Sequence, residues 1–63
     1  MIERMRYCDL KNGETFKLFK SDLRVFKKET DGALQIKDYS GNPCETRGFR
    51  VYPYLTMTVY KVD

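Results

Sequence analysis

The residues best able to do chemistry lie between positions 39 and 54, where arginines occur among aromatic residues. Aromatic rings in such a stretch can stack on nucleic-acid bases while guanidinium groups meet phosphates. Tyrosine and arginine are also enriched at the energetic centres of protein interfaces. We therefore predict a candidate binding patch composed of Tyr39, Arg47, Phe49, Arg50, Tyr52 and Tyr54.

The composition argues against an enzyme. The chain has no histidine, which removes the usual general base and the commonest metal ligand. Cys8 and Cys44 are too few for a four-ligand zinc site, and the glycines occur singly, so no phosphate-binding loop is present. We predict a non-catalytic protein with no cofactor and no bound metal.

The charge is low and mixed. Twelve lysines and arginines face nine acidic residues, and the two signs are interleaved along the chain, with a formal net charge of +3. This balance permits nucleic-acid binding but does not require it. We therefore favour a protein partner or self-association, and keep a small nucleic-acid-binding β-barrel as the alternative.

The sequence has no secretory signal and no apolar run of membrane length. We expect a cytoplasmic protein with no membrane partner, in which both cysteines stay reduced and pack as small hydrophobic residues.

Two dipeptides set the turns. Asn12-Gly13 is a strong turn signal, and Asp31-Gly32 between two strand patterns predicts a β-hairpin. Alternating apolar residues and turn residues predict five short strands, within 15–19, 23–28, 33–38, 45–52 and 55–60.

The strand pattern also predicts which residues are buried. In the hairpin we expect Leu34 and Ile36 to point inward, with Phe26, Gln35 and Lys37 on the opposite face. Residues 1–63 should form one all-β domain, a small barrel or a strongly bent antiparallel sheet, in which residues 1–7 are either a first strand or an arm. The predicted core is Leu10, Phe16, Leu18, Val25, Leu34, Ile36, Leu55, Met57 and Val59.

The chain resembles short proteins encoded by bacteriophages, over Tyr7 to Val62. The similarity rests on short structural motifs: Asp9-Leu10, Gly13, Phe16, Val25-Phe26, Lys28, Gly41, Pro53 and Val59. The resemblance implies a small SH3-like barrel and an accessory protein that binds a host or viral protein in the host cytoplasm. Most members have no assigned function, so the resemblance supplies no site residue.

Overall fold

The computed structural model describes residues 2–44 and 49–62. Within these ranges the chain forms six strands and one turn of 3-10 helix, Tyr7–Asp9. The predicted all-β antiparallel fold is confirmed. The sheet has six strands where five were predicted, because the segment before Tyr7 is itself a strand. The strands are β1 (Ile2–Arg6), β2 (Thr15–Lys17), β3 (Val25–Lys28), β4 (Ala33–Lys37), β5 (Arg50–Val51) and β6 (Thr58–Val62).

The strands form a single open sheet in the order β1-β6-β2-β3-β4-β5, with every neighbouring pair antiparallel. The last strand lies between the first two. Val59 of β6 is opposite Met5 of β1, and Lys61 of β6 is opposite Phe16 of β2. This arrangement joins the two ends of the chain and leaves β1 and β5 at the edges of the sheet.

The Asn12-Gly13 turn forms as predicted. The amide of Glu14 donates to the carbonyl oxygen of Lys11 at 3.0 Å, and Gly13 has a φ of 93°. A positive φ at the third position of a four-residue turn is typical of type II, where glycine is the preferred residue.

The Asp31-Gly32 hairpin joins β3 to β4 and is also confirmed. The amide of Glu29 donates to the carbonyl oxygen of Gly32 at 2.8 Å, which closes the loop. Gly32 has a φ of 82°, a conformation that glycine adopts without steric cost.

A β-bulge shifts the register of this hairpin. Val25 is opposite Lys37, but the next residue, Phe26, is opposite Gln35, so Ile36 has no partner on β3. Phe26 shares a side of the sheet with the buried Gln35 opposite it and packs in the main core cluster. Val25 is also buried, but outside that cluster.

The prediction of which hairpin residues point inward was wrong. Ala33 and Gln35 are buried, whereas Leu34 and Ile36 are half-buried on the opposite face. Phe26 decides which face of β4 points inward. Its ring is fully buried, so Gln35, which lies opposite it, must point to the same side. Gln35 tolerates burial because its side-chain amide donates to the carbonyl oxygen of Lys37 at 3.0 Å.

The last strand begins later than predicted. Pro53 ends β5, and the chain then makes a turn in which the amide of Met57 donates to the carbonyl oxygen of Tyr54 at 3.0 Å. Leu55 lies in this turn with 66% of its surface exposed, so its predicted core position was wrong. A proline and a turn outweigh the alternating pattern there.

The core lies on one face of the sheet. The Phe16 ring packs between Tyr7, with ring centroids 5.4 Å apart, and Phe26, with centroids 5.7 Å apart. Of the predicted core, four residues are buried: Leu10, Phe16, Val25 and Val59. Leu18 and Met57 are partly buried against the core cluster, which consists of Tyr7, Leu10, Phe16, Phe26, Ala33 and Val59.

In the two ranges described, no helix is long and apolar enough to cross a membrane.

Candidate functional site

The aromatic members of the predicted patch are all strongly exposed. Tyr52 and Tyr54 follow β5 with 68% and 83% of their surfaces exposed, and Phe49 precedes Arg50 on the same edge with 76% exposed. Arg47 lies outside the described residues. The structure therefore places one part of the patch along the β5 edge and its continuation.

Tyr39 lies apart from the others. It follows the carboxyl end of β4, whereas Tyr52 contacts Gly32 just before the amino end of that strand. A five-residue strand separates the two sites by about 17 Å. Tyr39 belongs to a different cluster, in which the guanidinium of Arg24 lies 4.6 Å from the centroid of its ring.

Arg24 is itself held by Asp22. Its Nη2 and Nε atoms donate to the Asp22 carboxylate at 2.8 and 3.1 Å. The hydrogen bonds from Arg24 hold the pKa of Asp22 below its usual value, and the same pairing raises the pKa of Arg24. This cluster positions Tyr39 but leaves no charge of Arg24 free for a ligand.

Arg50 is also engaged within the molecule. Its Nη1 atom donates to the Glu29 carboxylate at 2.8 Å and to the carbonyl oxygen of Asp31 at 2.7 Å. The hydrogen bond to Glu29 raises the pKa of Arg50. Arg50 therefore ties β5 to the β3–β4 loop, and its charge is largely compensated.

Tyr52 packs against the β3–β4 loop at Gly32. A methyl group added at Gly32 would lie 2.9 Å from two carbons of the Tyr52 ring, so the ring packs directly against the glycine backbone. Most of the remaining ring surface faces solvent. The result is an exposed aromatic surface that is supported on one side by Gly32.

Beside Tyr52 lies a groove of about 300 Å³, which we call the Tyr52 groove. It runs between the β3–β4 loop and the segment after β5, and the buried Tyr7 forms part of its wall. Burial raises the pKa of Tyr7. The groove is lined by Tyr7, Asn12, Lys28, Glu29, Thr30, Gly32, Tyr52, Pro53 and Leu55.

The charged residues of the Tyr52 groove are already partnered. The Lys28 ammonium donates to the carbonyl oxygens of Leu10 at 2.6 Å and Tyr7 at 3.1 Å, and lies 4.7 Å from the Tyr7 ring centroid. Glu29 is the residue that pairs with Arg50. A ligand in this groove would therefore contact mainly aromatic and apolar surface.

Several groove residues were missed by the sequence analysis. Leu55 was assigned to the core, and Gly32 was assigned only to a turn. The Asp-Gly signal located the loop, but the packing of Tyr52 on Gly32 depends on the pairing of β4 with β5. No pattern within either segment encodes that contact.

A larger hollow of about 510 Å³ adjoins the Tyr52 groove and shares Asn12, Lys28, Glu29 and Thr30 with it. Its lining is mainly polar and charged, and it includes the Arg50–Glu29 ion pair. Because such a surface is readily solvated, the Tyr52 groove is the better binding site.

Among residues 2–44 and 49–62, no group of three or more His, Cys, Asp or Glu side chains is placed to hold a metal ion. No protein-family model, curated protein or solved structure matches this chain. The candidate site is therefore defined by the contacts of its own residues.

Proposed function

We propose that this protein is a non-catalytic binding module that holds an extended apolar segment of a partner protein in the Tyr52 groove. The observation that carries the proposal is the position of the Tyr52 ring, which packs against Gly32 and keeps 68% of its surface exposed. A ring ordered in advance loses little conformational entropy on binding, which favours affinity. Tyrosines of this kind are common at interface centres.

The cationic side chains near the groove are already paired within the molecule, which favours a protein over a nucleic acid as the ligand of this groove. Arg50 is paired with Glu29, and the Lys28 ammonium is bound by two carbonyl oxygens. Phosphates would have to compete with these internal partners. An apolar side chain from a peptide needs only the surfaces of Tyr52, Pro53 and Leu55.

The same pairing supports a non-catalytic role. Among the described residues, Glu29 is the one carboxylate that lines the Tyr52 groove, and it is held in an ion pair with Arg50. The chain offers no histidine to replace it.

The resemblance to short phage-encoded proteins supports a host or viral protein as the partner, encountered in the host cytoplasm. Cys8 is exposed and Cys44 half-buried, so the predicted packing of Cys8 as a small hydrophobic residue was wrong. Two free thiols suit a reducing compartment.

The proposal is tested by selecting peptides from a random library on the immobilised protein and measuring their affinity in solution. We expect Tyr52→Ala to weaken the selected peptides by about 30-fold, the loss typical of a residue at an interface centre. Tyr39→Ala is the matched control, because Tyr39 is equally exposed but lies at the other end of β4.

Equal affinity for the Tyr52→Ala and wild-type proteins would contradict the proposal. Failure to select any peptide, together with concentration-dependent sedimentation that Tyr52→Ala abolishes, would assign the groove to a second copy of the chain instead.

A further inference from the structure

The face of the sheet opposite the core, which we call the outer face, is defined by the strand registers. Directly opposite residues share a face, and one unbroken row crosses all six strands. The row consists of Ile2, Val62, Thr15, Lys27, Leu34 and Arg50. A second row on this face consists of Arg4, Tyr60 and Lys17.

The outer face concentrates positive charge. By strand alternation, five basic residues point from it: Arg4, Arg6, Lys17, Lys27 and Arg50. No acidic residue occupies an outward position on any of the six described strands. The strands of the outer face therefore carry basic but no acidic outward residues, although the two signs are interleaved along the sequence.

Among residues 2–44 and 49–62, the acidic residues near the outer face come from loops and the 3-10 turn. Glu29 compensates Arg50, and Asp9 lies 3.7 Å from Arg6 in an exposed pair. Asp22 interacts electrostatically with Lys17, but the Asp22 carboxylate is hydrogen-bonded to Arg24. The Arg6–Asp9 pair is exposed and its charged atoms are 3.7 Å apart, so it contributes little and a phosphate can take the place of Asp9.

We propose that the outer face binds the phosphodiester backbone of nucleic acid, independently of sequence. Neighbouring strands are about 4.8 Å apart, so cations two strands apart, such as Arg4 and Lys17, are separated by about 10 Å. The whole row spans about 24 Å across the sheet. This is a surface for an extended chain of regularly spaced negative charges.

The neutral residues of the outer face favour nucleic acid over an acidic protein. Leu34, Tyr60 and Val62 are half-buried, and the exposed Ile2 lies at the edge. A protein partner would need exposed apolar or aromatic anchors near the centre of the interface. Sequence-independent binding to phosphates needs only accessible cations.

The outer face and the Tyr52 groove can be occupied together. The groove is lined by Tyr7 and Lys28, which lie on the core side of the sheet, since Lys28 is opposite the buried Ala33. A protein bound there would leave the outer face open. The proposal therefore goes beyond the proposed function and does not depend on it.

The experiment measures fluorescence anisotropy of a labelled 20-nucleotide strand and of its duplex at several salt concentrations. We expect binding whose affinity falls as salt rises. The double variant Lys17→Gln/Lys27→Gln should lower the magnitude of the log–log salt slope by about 1.4 for the single strand and about 1.8 for the duplex.

The control variant is Lys11→Gln/Lys37→Gln, which removes the same charge from exposed lysines outside the outer face. Its slope should match that of the wild type. Arg4→Gln provides a second test on the opposite edge of the face, where we expect a slope smaller by about 0.7 for the single strand.

Three results would overturn the proposal. One is the absence of binding to either probe at low salt, and another is an equal loss of slope in the Lys11/Lys37 control. The third is displacement of the oligonucleotide by polyglutamate at equal charge concentration, which would assign the outer face to acidic proteins.

Discussion

Two separate features of the structure require glycine at position 32. The backbone has a φ of 82°, and an added methyl group would lie 2.6 Å from the carbonyl oxygen of Val51 as well as against the Tyr52 ring. Gly13 has a similar φ of 93° but nothing within 4 Å of the added position. Substitution of Gly13 therefore measures the free-energy cost of backbone strain alone, whereas substitution of Gly32 adds the cost of steric overlap.

We expect Gly13→Ala to lower the free energy of unfolding by about 1 kcal/mol, the usual cost of a left-handed alanine. Gly32→Ala should cost more, about 2–4 kcal/mol, because β5 and Tyr52 must also move. Urea unfolding of both variants measures the difference. Equal losses would mean that Tyr52 does not rest on Gly32, and would remove the basis of the Tyr52 groove.

Among the elements, the β3–β4 hairpin shows how a register shift reassigns the faces of a strand. The bulge at Ile36 places Phe26 opposite Gln35 and in the core cluster, while Val25 is buried outside that cluster. The sequence pattern alone favoured Leu34 and Ile36 as the inward pair, since both are more apolar than Ala33 and Gln35.

The hairpin register can be tested by truncating one residue on each face. Phe26→Ala should lower the free energy of unfolding by about 3–5 kcal/mol, and the half-exposed Leu34→Ala by about 1 kcal/mol. Phe26→Leu provides a milder variant if Phe26→Ala does not fold. A Leu34→Ala loss as large as that of either Phe26 variant would contradict the register.

For the whole molecule, the pairing of the chain ends is the main long-range constraint. Ile2 is opposite Val62, and Met5 packs against the core from β1. A domain of this size buries only about 60% of the surface exposed by its unfolded chain, so the loss of one strand is a large fraction of its stability.

Deletion of residues 1–6 should therefore abolish cooperative thermal unfolding, because it exposes the edge of β6 and removes Met5 from the core. Circular dichroism during heating measures this. Arg4→Gln in the full-length chain is the control and should leave the melting temperature within a few degrees. A truncated protein that melts like the wild type would show that β1 is dispensable.

Much of the fold could be predicted from local chemistry. The two glycine turns, the all-β class and the buried positions of Leu10, Phe16 and Val59 follow from dipeptide preferences and alternation, which act within a few residues. The exposed aromatic residues near Pro53 were also identified from their types and spacing.

The remaining features depend on contacts between distant segments. The bulge, the pairing of β1 with β6, the ion pair of Arg50 with Glu29 and the packing of Tyr52 on Gly32 each join residues from different strands or loops. The same holds for charge. The sequence by itself determined the amounts of positive and negative charge, but only the tertiary structure placed five of the basic residues on the outer face, because the face of a residue is set by strand register and not by its neighbours in sequence.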